Sequence, residues 1–209
     1  LMEISRFRST SNDGLTSLAA YKERMKDGQT SIFYITGEDA EQIAQSPQLE
    51  GFKAKGVEVL LLTDPVDEFW VSSVGTYDEA SFKSATRGGA DLADINDDVN
   101  KDDDKKADKK DNASDIDPLI AAFKVSLGDK VKDVRASERL TDSPVCLVAD
   151  EGDMDIHLER MLKQHNQLSQ ASLRVLEINP DHALISKLAK RAAAGDGKDS
   201  LIDDAALLL

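Results

Sequence analysis

Three carboxylates follow one another closely behind an apolar run, Asp64, Asp67 and Glu68 in Leu62-Thr-Asp-Pro-Val-Asp-Glu-Phe-Trp70. Paired carboxylates can divide the work of a general acid and a general base, provided that a pocket brings a substrate between them. The same residues have simpler uses. Asp64-Pro65 is a turn-forming pair, and acidic residues at Asp67-Glu68 suit the positive end of a starting helix. The other side chains with reactive or metal-binding atoms are His157, His165, His182 and Cys146. The histidines are separated and lack ligand partners at metal spacing, so they read as surface or packing residues. Cys146 lies in an apolar run and reads as a small buried hydrophobe. The sequence has no glycine-rich phosphate loop, Gly-x-Ser-x-Gly elbow or clustered Cys and His, the patterns that usually carry phosphoryl, acyl or metal chemistry. Catalytic, cofactor-binding and metal-binding residues are therefore assigned to none of its positions.

The elements around the carboxylates form a recognisable unit. Val57 to Leu62 is a short apolar run after Gly56, the pattern of a strand buried on both faces of a sheet. Ser31 to Thr36 reads as a second such strand. Thr36 and Asp39 have capping-box spacing for the helix between them, and Ser46-Pro47 starts a further helix that Gly56 closes. Together these segments predict a βαβ unit with a parallel, Rossmann-like sheet. Functional groups in such sheets gather beyond the carboxyl ends of the strands, which is where Asp64 to Trp70 fall. Upstream, Ser17 caps a helix carrying Leu18, Tyr21 and Met25 on one face, with Gly28 at its end. From Gly75 to Gly89 the pattern weakens to loops and one short strand.

The chain has 209 residues, 40% of them apolar, and a formal charge of −14. That length suits two small domains. The acidic balance argues against nucleic acid or an anionic membrane as the main partner, because both need excess Lys and Arg. A single cysteine, with no apolar stretch of membrane-span length and no charged signal-peptide start, fits a reducing cytoplasm. Asp and Lys alternate through residues 91–111 with few large apolar side chains, the composition of a solvated helix or linker. It divides the sequence into residues 1–111, α/β, and residues 112–209, α+β.

In the second part Asp117-Pro118 opens a helix with Leu119, Phe123 and Leu127 on one face, ended by Gly128. Strands are predicted over Lys130 to Ala136, Val145 to Ala149 and Leu173 to Ile178. Asp153 can cap a helix whose Met154, Leu158, Met161 and Leu162 form one continuous stripe. Asp181 to Ala194 is a further helix, and Asp199 to Leu209 begins another. A first residue other than Met and an apolar, uncapped end predict a piece of a longer protein.

Three segments, YKERMKDGQTSIFYITGED, SPQLEGFKAKGVEVLLLTDPVDEF and VKDVRASERLTDSPV, closely resemble the bacterial branch of the Hsp90 chaperone family. The likeness covers most of the chain outside residues 90–112. It implies the C-terminal part of the family's middle domain, followed by a truncated C-terminal dimerisation domain. It also implies a chaperone that binds unfolded or partly folded clients, with co-chaperones as possible partners and a homodimeric parent. In that family ATP and Mg2+ sit in an N-terminal domain, so this segment is expected to carry no cofactor and no ATPase activity.

The resemblance assigns Glu68, Phe69 and Trp70 to a client-contacting edge. Relatives tend to have tryptophan directly after Asp-Glu, which leaves both aromatics as candidates here. The stripe Met154, Leu158, Met161 and Leu162 fits an ordinary core by periodicity alone. Its methionine content suits an adaptable surface, however, and its position matches the family's exposed client-binding helix. Leu201, Ile202, Ala205, Leu208 and Leu209 match the opening of the dimerisation bundle. The remaining alternative, argued by fold analogy from the βαβ unit, is a small doubly wound enzyme or ligand-binding protein with an α+β partner domain.

Overall fold

The computed structural model describes residues 2–87, 92, 95, 116–150, 152–168, 172–195 and 200–209. The N-terminal part is built on strands β1 (Phe7–Ser9), β2 (Asn12–Thr16), β3 (Ser31–Thr36), β4 (Leu60–Leu62), β5 (Thr76–Tyr77) and β6 (Ala80–Ser84). They form a six-stranded sheet in the order β2-β1-β4-β3-β6-β5. β3 runs parallel to both β4 and β6, and α2 (Ala40–Ala44) and α3 (Glu50–Ala54) lie in the crossover between β3 and β4. The result is a mixed α/β fold with a parallel-containing sheet.

Successive side chains of a strand point to opposite faces, and here both faces are apolar. Ile32, Tyr34, Leu60 and Leu62 enter one core with residues of α1 (Leu18–Glu23) and α4 (Asp67–Val74). Phe33, Ile35 and Leu61 enter the other with Leu49 and Phe52. Ladder pairing of the predicted Val57 to Leu62 strand begins only at Leu60, where β1 and β3 flank it. The charged stretch of residues 91–111 lies outside the described residues apart from Leu92 and Ile95, both buried in the second core.

The C-terminal part contains β7 (Asp133–Ala136), β8 (Val145–Val148) and β9 (Val175–Ile178), in the order β7-β9-β8. Its helices are α5 (Asp117–Leu127), α6 (Ile156–Gln164), α7 (Ala183–Ala194) and α8 (Ser200–Leu208). Leu176 and Ile178 face a core shared with Phe123, Ile185 and Ile202. The alternate residues Val175 and Glu177 face the other way, and an isolated bridge between Arg87 and Ala149 joins the two sheets.

Several local expectations are corrected. Asp39, in extended conformation, caps α2 by accepting from the Gln42 N–H at 2.8 Å, while Thr36 remains within β3 and turns its hydroxyl elsewhere. α1 ends at Glu23, and Gly28 serves the later turn at φ 84°. The cap of α6 is Asp155 instead of Asp153. Asp117 lies in the first turn of α5, behind the cap residue Ile116. The weakly patterned stretch after Gly75 is a β5–β6 hairpin, and its second strand is interior to the sheet. Its turn uses Asp78 and Glu79 at φ 45° and 68°, positions that hairpin turns ordinarily give to Gly or Asn.

Candidate functional site

Because β3, β4 and β6 are parallel, their carboxyl ends open on one edge of the sheet, at Thr36, Leu62 and Ser84. α4 starts at this edge. Asp67 accepts from the Asp64 N–H at 3.1 Å and from Trp70 Nε1 at 2.7 Å, so one of the carboxylates considered for acid–base work organises the helix start instead. Trp70 is half-buried between Phe7 and Phe82, with ring centroids 5.6 and 5.5 Å away. Phe69 points outward and is 53% exposed. Glu68 is turned inward, 2% exposed, and its Oε1 finds no hydrogen-bond donor. Burial pushes its carboxyl up to about 7. The Thr36 hydroxyl opposes that shift, and the neighbouring Asp155 and Asp67 add to it. Of the aromatic edge predicted from sequence, Phe69 is the member that faces solvent; Glu68 and Trp70 are committed to packing.

The same edge receives α6. Its cap, Asp155, is 3% exposed. Oδ1 accepts from the His157 N–H at 2.9 Å and the Thr36 hydroxyl at 3.3 Å. Oδ2 accepts from the Thr86 hydroxyl at 2.8 Å and from the Ser84 hydroxyl. The two stretches assigned separately in the sequence thus meet at Thr36, which lies beside both Glu68 and Asp155.

α6 is amphipathic in an inverted sense. Its buried residue is acidic: Glu159, 2% exposed, accepts from Arg174 and from the Ser172 N–H at 2.7 Å. Met154, which precedes the cap, is 37% exposed, and Leu158, Met161 and Leu162 on the helix are half-buried. None of the four belongs to a hydrophobic core or packs against one. Among the described residues, no helix or strand lies along α6 in extended contact. The carboxylates of Asp155 and Glu159 are thus better buried than the leucines of the same helix, the reverse of an ordinary amphipathic helix.

The final helix divides differently from its sequence reading. Ile202 is buried, and Ala205 packs beside it against α5 and α7, so both belong to the local core. Leu201, Leu208 and Leu209 are exposed, as is Leu207, which the sequence reading omits.

A sequence model of the Hsp90 protein family matches residues 1–209. The chain belongs to the Hsp90 family. It is similar along its whole length to the Chaperone protein HtpG of Roseobacter denitrificans and of Paramagnetospirillum magneticum, 57% identical to each. It is 41% identical to the Chaperone protein HtpG of Wolbachia pipientis wMel. Each comparison covers 100% of this chain and 33%, 33% and 32% of the relative, so the chain spans about a third of their length.

In this Hsp90 segment the residues that sequence reasoning misses are Asp155, Glu159, Arg174 and the hydroxyls of Ser84 and Thr86. No local signal marks them. Thr36 and Asp155 are 119 positions apart, and a lone hydroxyl at a strand end is unremarkable. The Val175-Leu-Glu-Ile178 run held one clue, a charge inside a strand. Glu177 accepts from Arg135 at 2.8 Å and from Arg139 at 2.9 Å. Arg139 in turn donates to the backbone of Ala85 and Arg87 across the junction. His165 Nδ1 bonds the Met161 carbonyl at 2.8 Å, and His182 caps α7. Burial pushes the Cys146 thiol up to about 11. Among the described residues no group of His, Cys, Asp and Glu could hold a metal ion.

Proposed function

We propose that this segment is a client-holding part of an Hsp90 chaperone, gripping unfolded or partly folded proteins through the Phe69 edge and the α6 stripe together. The observation that carries the reading is the inverted amphipathicity of α6, which is held by Asp155 and Glu159 and leaves Leu158, Met161 and Leu162, with Met154 just before the cap, outside the cores formed by the described residues. Flexible methionine and leucine side chains conform to varied apolar segments, and an outward aromatic buries much area with few rotatable bonds. The names of the relatives, each a chaperone protein, agree with this role.

In the same reading, residues 1–111 are the end of the middle domain and residues 112–209 the C-terminal dimerisation domain. Leu201, Leu208 and Leu209 contribute to a homodimer of the parent chain. ATP and Mg2+ belong to a part of the parent that this segment does not span, and the segment itself neither binds nor hydrolyses nucleotide. Co-chaperones bind the parent, and the setting is the cytoplasm. No helix of the described residues is long and apolar enough to cross a membrane. The alternative of a doubly wound enzyme has no observation in its favour, since Asp67 is engaged at the start of α4 and Glu68 is turned into the packed interior.

Binding of a fluorescently labelled, permanently unfolded protein tests the proposal. Phe69→Ser, and separately the triple change Met154→Ser, Leu158→Ser, Leu162→Ser, should each weaken binding about tenfold or more, the loss of a ~1.4 kcal/mol contact. Unchanged affinity in both variants would refute it.

A further inference from the structure

We propose that Asp155 is a positioning residue for client binding, holding the Phe69 edge and the α6 stripe in one fixed register by locking the start of α6 onto the hydroxyls of Thr36, Ser84 and Thr86. The proposal rests on the client-holding reading above. An ordinary helix cap uses one side-chain oxygen to satisfy one backbone N–H near the surface. Asp155 exceeds that role on three counts. It is 3% exposed. It accepts from four donors, one backbone N–H and three hydroxyls, which fills the acceptor sites of a carboxylate. All three hydroxyls come from the distant sheet, from β3 and from the end of β6.

The sheet is shaped to receive it. Ser84 ends β6 and Thr86 lies in the turn that follows, which brings the two side chains together. Their hydroxyls lie 3.0 Å from each other, and the Thr86 N–H donates to Ser84 Oγ at 3.2 Å. Bonds to a charged acceptor are stronger than neutral ones, and this group is shielded from water on every member. Thr36 also lies beside Glu68, the residue preceding Phe69 on α4. One hydroxyl therefore stands between the two patches. A disordered client that bridges both gains the effective-concentration advantage of two linked sites, which is largest when the separation is held at the span the client can bridge.

Two measurements on the 209-residue chain test this. Spin labels are placed at Ser73→Cys on α4 and Arg160→Cys on α6, both exposed, with Cys146→Ser removing the native thiol. The label-to-label distance distribution is read beside affinity for the labelled unfolded protein. The unmodified junction should give one narrow distribution. Asp155→Ala should broaden it and weaken binding about tenfold. The paired change Ser84→Ala, Thr86→Val should do the same while sparing the cap, which keeps the test decisive if Asp155→Ala folds poorly. Asp155→Asn keeps one acceptor oxygen for the cap but places an amide donor where Oδ2 met the Ser84 and Thr86 hydroxyls, so it should keep the helix start and restore both signals only in part. A distribution that stays narrow in the hydroxyl variant, or one that broadens with affinity unchanged, overturns the proposal. The triple serine variant of α6 separates the two readings. If it binds like the parent, the client surface itself is misplaced, whatever the distances show; if it loses binding while the junction variants do not, only the positioning role falls.

Discussion

Glu68 carries a carboxyl raised to about 7 by burial, with Asp155 and Asp67 adding to the shift. An unfolded glutamate titrates near ~4.3, so between there and about 7 the folded state binds the extra proton. Stability should therefore fall as pH rises through that window, and the penalty should be fully present above it. Glu68→Gln should flatten this part of the profile, so that urea midpoints at pH 5 and pH 8 differ less than in the parent. The neighbouring aromatics separate burial from binding. Trp70→Ala removes packing against Phe7 and Phe82 and should cost ~2–4 kcal/mol in denaturant titration. Phe69→Ala should stay within ~0.5 kcal/mol. The sequence places both residues on the helix that follows the carboxyl end of β4, as the structure does. It does not say which faces inward, because adjacent helical positions differ only in direction and the deciding partners, Phe7 and Phe82, lie far away in the chain.

Elements that close their own hydrogen bonds locally are the most readable. β3 has the predicted limits because Ser-Ile-Phe-Tyr-Ile-Thr is apolar on both faces and bounded by turn residues. The β5–β6 hairpin is poorly readable because Asp78 and Glu79 adopt positive φ without glycine. The α6 stripe is legible from periodicity, yet its orientation depends on Arg174 and on distant hydroxyls. α3 offers a test of how closely the elements fit. A Cβ on Gly51 would lie 2.6 Å from the Cβ of Arg139 and 3.0 Å from its carbonyl oxygen. The adjacent Glu50 accepts from the N–H groups of Thr141 and Asp142 at 2.8 and 2.9 Å, and from Ser143. Burial of Glu50 acts against its ionisation, but these donors win and hold its carboxyl below the usual range. Gly51→Ala should force α3 off the 137–143 loop and cost ~1–3 kcal/mol in chemical denaturation.

Across the whole molecule, the ties between the two sheets include Asp155 with the hydroxyls, Glu50 with the 141–143 loop, Arg139 with the Ala85 and Arg87 carbonyls, and the Arg87–Ala149 bridge. These attachments are polar and join residues far apart in the chain, so composition and periodicity do not reveal them. Strands and helices of both sheets are legible from the order of the elements, whereas the surface between the sheets is not. At the far end, Leu208 is 86% exposed. If the exposed leucines of α8 drive self-association, Leu208→Glu should shift light scattering of the chain toward the monomer mass. The account turns on the helix whose polar side holds it in place. Thermal melting of the Met154→Ser, Leu158→Ser, Leu162→Ser variant tests it most directly: the midpoint should stay within ~3 °C of the parent's, because surface substitutions change little. A collapse of the melt, as expected when buried leucines are truncated at ~2–5 kcal/mol each, would contradict it.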